Sequence, residues 1–290
     1  MQFRRYGQER GNLTERLKPM EKANEFIFSR MNAMLSMLLT NEPGLLFSYV
    51  EALDCRVNAL GVNACSHGAP HVVGALTCHY PHLAGQQQLT MRCLDVFLAE
   101  LALSLDAFTS NKEIEVTNPQ FHRSAMRVDY ANYQALRDLV GRDEALSLYR
   151  MYVDHYVRVH DGPLMAGRGC GTLHDLRLQR IRAAESGYCG RVRIISTVED
   201  GRVIERCENC EKVDGLKDMQ FEDAEVFNTV LCDSDFPVTR LFNDSFVLTR
   251  HKTIAGGHAY CDNVIHDIRV ATTVEHPDDD FIARLGTLVE

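Results

Sequence analysis

Two cysteines, Cys232 and Cys261, frame the stretch of this chain that is richest in reactive side chains. Cys232 is followed by Asp233, Ser234 and Asp235, and Cys261 by Asp262. Between them lie Arg250, Thr253, the pair Gly256-Gly257 and His258. A thiol attacks or binds metal as the thiolate, and neighbouring carboxylates oppose that form unless a cation offsets them. Arg240, Arg250, His251 and His258 are the cations at hand. Adjacent glycines let backbone N–H groups approach a ligand closely, where they could serve a carboxylate or a developing oxyanion. The same pair would equally serve a tight turn between two strands. Cys232 reads equally as a buried structural thiol, because free cysteine packs as a small hydrophobe.

A second pair, Cys207 and Cys210, is spaced C-x-x-C. With Cys232 and Cys261 it makes four thiolates, a set that suits tetrahedral zinc. The spacing is not that of a standard zinc finger. No metal ligand is therefore assigned and no cofactor is expected, zinc being the metal these thiols would take. Cys65, His67, His71, Cys78, His79 and His82 gather further soft ligands in a stretch rich in Gly and Pro. That stretch reads as an irregular loop with scattered histidines, or as a lid that lends an imidazole for acid–base work.

The elements that must position these groups follow from periodicity. Residues 13–40 read as a helix with Met31, Met34, Leu35 and Leu38 on its apolar side, and 45–60 as a second. Residues 63–88 read as irregular. In 90–107, Leu94, Phe97, Leu98, Leu101 and Leu105 fall at helical spacing. Polar residues and Pro119 suggest a boundary near 110–120. A helix over 143–160 carries a stripe of Tyr149, Tyr152 and Tyr156, read as core, and another helix covers 173–186. Val192–Thr197 and Val203–Cys207 form a hairpin about Asp200-Gly201, which supplies the positive φ of a tight turn. An apolar helical run from Val226 delivers Cys232, and final strands are expected over 244–252 and 259–269. The tail His276–Asp280 reads as solvated. Helices followed by antiparallel strands predict an α+β fold: a helical N-terminal region over 1–115, then helices packed on an antiparallel sheet over 116–290.

The 290 residues carry a net charge of −9 and ordinary hydrophobic content, without the basic stripe of a nucleic-acid binder. The longest apolar stretch, Met34–Leu39, is too short to span a bilayer, and no signal peptide is recognisable. A cytoplasmic protein with no membrane or nucleic-acid partner is expected. Ten cysteines in such a chain point to core, metal or catalytic thiols more than to disulfides.

Cys232-Asp233-Ser234-Asp235, the strand Phe246–Arg250, Thr253-Ile254-Ala255-Gly256-Gly257 and Cys261-Asp262 together resemble the L-2-amino-thiazoline-4-carboxylic acid hydrolase family. The likeness covers roughly residues 130–270. Its closing Cys-Asp-Phe triplet is Cys261-Asp262-Asn263 here, a polar residue at an apolar position. The strand–glycine–cysteine ending is also similar to 4-vinyl reductase ligand-binding domains, some of which hold zinc through cysteines. The cysteine that pattern expects near residue 253 is Thr253 in this chain.

The first resemblance implies a hydrolase that opens a small C=N heterocycle. Carried onto this sequence, it makes Cys232 the nucleophile or water-orienting thiol, Asp235 the base or orienter and His258 the proton shuttle, with Cys261 a second thiol. Arg250 would hold a substrate carboxylate, aided by Thr253, Gly256 and Gly257. The alternatives are a small-molecule sensor with a structural zinc site, or a biosynthetic enzyme of the same fold acting on a cyclic intermediate. The extra N-terminal helices either reshape the pocket for another small-molecule substrate or build a homo-oligomer interface.

Overall fold

The computed structural model describes residues 2–7, 14–62, 70–162, 171–185, 193–196 and 200–288. The chain forms two compact units: Thr14–His160, and Met1–Leu13 together with Asp161–Glu290. The first strand, β1 (Phe3–Tyr6), belongs to the second of these.

In the helical unit, β2 (Thr14–Leu17) pairs antiparallel with β3 (Ile114–Thr117). The helix expected from residue 13 therefore starts later, as α1 (Pro19–Ala23), and passes through a π-helical turn, Asn24–Phe28, into α2 (Ser29–Asn41). The second expected helix is α3 (Leu46–Ala59). The stretch read as irregular contains α4 (Pro70–Thr77), opened by Pro70 at a position where the missing N–H costs nothing. Cys65 and His67 of the His/Cys cluster lie outside the described residues. The helix expected over 90–107 is split into α5 (Gln87–Glu100) and α6 (Leu105–Ser110), with Ala102 between them at φ +52°.

The largest departure from expectation is α7 (Asn118–Val140). Pro119 lies in its first turn, and Thr117 and Gln120 close a capping box across that turn. What read as a break is a helix start. α8 (Arg142–Tyr156) follows and continues as a π-helical turn, Val157–Asp161. α7 and α8, both beyond residue 115, group with the helices before them. Of the predicted core stripe, Tyr149 and Tyr152 are buried and Tyr156 is half-buried. Inside the unit, Asp129 pairs with Arg30 and accepts from Tyr152 Oη at 3.1 Å, while Tyr49 Oη donates to Asn132 Oδ1 at 2.7 Å.

The second unit runs α9 (Leu173–Glu185), β4 (Arg193–Ser196), β5 (Arg202–Cys207), α10 (Glu211–Leu216), α11 (Ala224–Cys232), α12 (Asp235–Phe242), β6 (Phe246–Thr249), β7 (Cys261–Asp267) and α13 (Asp279–Leu288). Its five-stranded sheet has the order β1-β4-β5-β7-β6 with every pairing antiparallel. The whole is an α+β fold, as expected. Asp200 and Gly201, at φ +53° and +68°, turn the chain between β4 and β5.

Register assigns every sheet residue to a face, because side chains alternate along a strand and opposed residues share a side. On one face Val203, Phe246, Leu248 and Ile265 form a core with Leu173, Leu176 and Ile181. Burying each such side chain stabilises the unit by about 1.5–3 kcal/mol. On the other face Ile204 and Val264 pack with Tyr260 and with Ile282 and Leu285 of α13. Of the tail expected to be solvated, Asp278–Asp280 are exposed, while the His276 side chain is 2% exposed. Among the described residues no helix is long and apolar enough to cross a membrane.

Candidate functional site

Asp223 caps α11 by accepting from the Val226 amide at 2.9 Å, and the helix runs to Cys232 as its last residue. Asp235 then opens α12. Arg250, just beyond β6, ties this helix–helix corner to the sheet. Its Nη1 donates to Asp235 Oδ2 at 2.8 Å and its Nη2 to the Cys232 carbonyl at 3.1 Å. Asp233 Oδ1 lies 3.6 Å away, and the guanidinium sits over the Phe236 ring at 4.9 Å. The Arg250 side chain is only 4% exposed. The cation expected to hold a substrate carboxylate is therefore committed to two carboxylates of its own chain.

The turn after Arg250 is tied down in the same way. Thr253 Oγ1 donates to Asn228 Oδ1 of α11 at 2.7 Å, and accepts from the Gly256 amide at 2.9 Å. The Gly257 amide donates to the Ile254 carbonyl at 3.0 Å. Both glycine N–H groups, expected to meet a ligand, are used within the turn. Gly257, at φ +86°, supplies its left-handed residue. His258 is exposed on this turn, and its amide donates to the Thr253 carbonyl at 3.0 Å. Cys261 is half-buried, and its Sγ accepts the Ile254 amide at 3.2 Å. An N–H donated to sulfur favours the thiolate.

Cys261 and Asp262, adjacent in sequence, point to opposite faces of the sheet. Cys261 is paired in register with Cys207, Asn263 with Glu205, and Ile265 with Val203. The face under the apolar core thus carries a polar row. Glu205 and Asn263, 0% and 3% exposed, form its centre. Glu205 Oε2 accepts from Arg193 Nη1 at 2.7 Å, with Arg180 Nη1 of α9 at 3.7 Å. Asn263 Nδ2 donates to Cys207 Sγ at 3.9 Å. Glu205 Oε1 and Asn263 Oδ1 are both buried without a hydrogen-bond partner. Each such orphaned acceptor costs about 1–3 kcal/mol.

On the opposite face, Asp262 accepts the amides of His251 and Lys252 at 2.9 and 2.7 Å. Its Oδ2 faces His276 Nε2 at 3.2 Å, too poorly aligned for a hydrogen bond. Burial alone would raise this carboxyl's pKa, but His276 and the two amides outweigh that and hold it below the ordinary range. Thr249 Oγ1 lies 2.9 Å from His276 Nδ1 and 3.0 Å from His266 Nε2. The buried His266 Nδ1 has no partner, so its proton sits on Nε2 and is donated to Thr249. The threonine hydroxyl itself donates to the Val264 carbonyl at 3.5 Å. Burial first, and the charges of Arg202 and His276 after it, push the His266 pKa down to about 4.

The residues predicted from sequence are thus brought together in part. Cys232, Asp235, Arg250 and Thr253 meet at one corner, Cys261 lies on the same face of the sheet, and His258 stays at the exposed turn. The proposed four-thiolate set does not assemble: among the described residues no three His, Cys, Asp or Glu side chains gather as a metal would require. Arg180, Glu205, Thr249, His266 and His276 went unrecognised. The one signal for Glu205 was a charge directly after the apolar pair Val203-Ile204 of a strand.

No curated protein and no solved structure matches the chain. Residues 120–264, half of the 290, match the family described as L-2-amino-thiazoline-4-carboxylic acid hydrolase. The matched segment runs from α7 to β7 and includes Cys232, Arg250 and Cys261. The chain belongs to the L-2-amino-thiazoline-4-carboxylic acid hydrolase family.

Proposed function

We propose that the protein hydrolyses a small thiazoline-carboxylate-like heterocycle, adding water across its C=N bond with Cys261 as the water-orienting thiol. The observation that carries this reading is the Cys261 sulfur. It accepts a backbone amide at 3.2 Å and lies within the segment that matches a hydrolase family. Cys232 is the alternative thiol, with Arg250 offsetting the charge of Asp233 and Asp235 beside it.

Water oxygen bonds the ring carbon between sulfur and nitrogen, and its proton passes to the ring nitrogen. The tetrahedral carbon then releases one ring heteroatom, which leaves with the second proton. The product is a ring-opened carbamoyl amino acid. His258 is the proton carrier of this scheme, its exposure allowing exchange with solvent. Arg250 acts as the clasp that holds α11 and α12 to the sheet.

The test is ring opening of a panel of 2-amino-thiazoline carboxylates by the purified chain, followed by chromatography of the product. Cys261→Ser is expected to lower kcat by about a hundredfold or more, and Cys232→Ser by less than about fivefold. Absence of turnover across the panel would reject the hydrolase reading. Loss confined to Cys232→Ser would reverse the assignment of the thiols.

A further inference from the structure

The sheet sets two thiols directly opposite each other. Cys207, the last residue of β5, is register-paired with Cys261, the first residue of β7. Opposed residues of an antiparallel pair stand about 4.5–5.5 Å apart at Cα and project from the same face. A disulfide spans Cα separations of about 4.4–6.8 Å, so the register itself brings the two thiols within bonding reach. The pair also ends the β5–β7 ladder, where loops rather than strand residues take up the adjustment.

The two sulfurs differ in access. Cys261 is half-buried and its Sγ accepts the Ile254 amide at 3.2 Å. Cys207 is 1% exposed and its Sγ accepts from Asn263 Nδ2 at 3.9 Å. Each N–H favours the thiolate. A thiol that solvent reaches, with a second thiol behind it to resolve the first product, is the arrangement that oxidises to a disulfide. Cys210, the other thiol of the C-x-x-C, lies beyond β5 at the start of α10, outside the register.

We propose that Cys207 and Cys261 form an oxidation site, which hydrogen peroxide converts to a cross-strand disulfide. The Cys261 thiolate bonds one peroxide oxygen, the O–O bond breaks, and the leaving hydroxide takes a proton and departs as water. The Cys207 thiolate then bonds the Cys261 sulfur, and the S–O bond breaks with release of a second water. The two thiols together lose two electrons and two protons, and one peroxide is reduced to two waters. A dithiol reductant reverses the bond. The bond stands on the sheet register alone. Its effect on ring opening rests on the proposed hydrolase function, because oxidation removes the Cys261 thiol.

The experiment treats the folded full chain with hydrogen peroxide, blocks the remaining thiols with iodoacetamide and maps tryptic peptides without reduction. Peptide 207–212 is expected joined to peptide 253–269. The link is expected to persist in Cys210→Ser and to vanish in Cys207→Ser, both checked for wild-type circular dichroism. Reduced Cys207→Ser is expected to open rings at the wild-type rate. After peroxide, dithiothreitol is expected to restore the wild-type chain to within about twofold of its untreated rate. Cys207→Ser is expected to recover less than about a tenth, its Cys261 having passed on to sulfinic acid. No joined peptide in the wild-type chain, or Cys207 joined to Cys210 instead, would overturn the assignment, and neither result depends on a variant folding. The joined peptide in a chain that opens no ring would leave the oxidation site standing and remove the hydrolase reading. Ring opening without the joined peptide would do the reverse.

Discussion

Single residues in the sheet do different work from their sequence neighbours. His266 shows this in its protonation. Its folded pKa of about 4 lies below the ordinary 6.5, so the folded chain refuses a proton that the unfolded chain accepts. Above pH 6.5 both states are neutral and the difference is nil. As pH falls from 6.5 to 4 the unfolded state gains protons, and the fold loses about 3 kcal/mol. Asp262, held below its ordinary range, takes over beneath pH 3.8, where protonation of the unfolded chain removes its contribution. Urea unfolding across pH 7 to 4 is expected to show this slope, and His266→Gln, which can still donate to Thr249, to flatten it above pH 4. An unchanged slope in that variant would mean that other groups carry the acid sensitivity. None of this was visible in the sequence. Thr249, His266 and His276 are separated by up to 27 positions and meet only through β-sheet register.

Elements with local signatures were legible, and those decided by context were not. The helix ending at Cys232, the Tyr stripe of α8 and the Asp200-Gly201 turn were readable because periodicity and turn chemistry are properties of adjacent residues. α7 was missed because Pro119 serves both as helix breaker and as first-turn residue, and only the Thr117–Gln120 cap decides between them. The motif from Cys232 to Cys261 was legible, but the partners its members already hold were not. Sequence shows that Arg250 is a cation and does not show Asp233 and Asp235 already seated against it. The β4–β5 turn gives the matching prediction. A Cβ on Gly201 would stand 2.6 Å from the Ala271 amide nitrogen, at a φ of +68° that other residues resist. Gly201→Ala is expected to destabilise the second unit by more than about 2 kcal/mol in urea unfolding. An unshifted midpoint would show that the backbone yields there at little cost.

At the scale of the molecule, the family match ends at residue 264, while the second unit continues through His266, His276 and α13. Those residues close the face opposite Cys261: Ile282 and Leu285 are fully buried there, and His276 covers Asp262 and Thr249. A chain truncated after residue 274 is expected to lose near-ultraviolet circular dichroism and to aggregate on size exclusion. A monodisperse truncated chain with wild-type ring opening would show instead that this face is dispensable. β7 is the wall shared by both chemistries, with the thiol and Asn263 facing one side and Asp262 and His266 the other. Anyone recombining or redesigning members of this family therefore cannot treat the two sides as separate modules. A point change at one position of β7 edits one side alone, but an insertion or deletion of a single residue would exchange the thiol with the carboxylate and forfeit both sides at once.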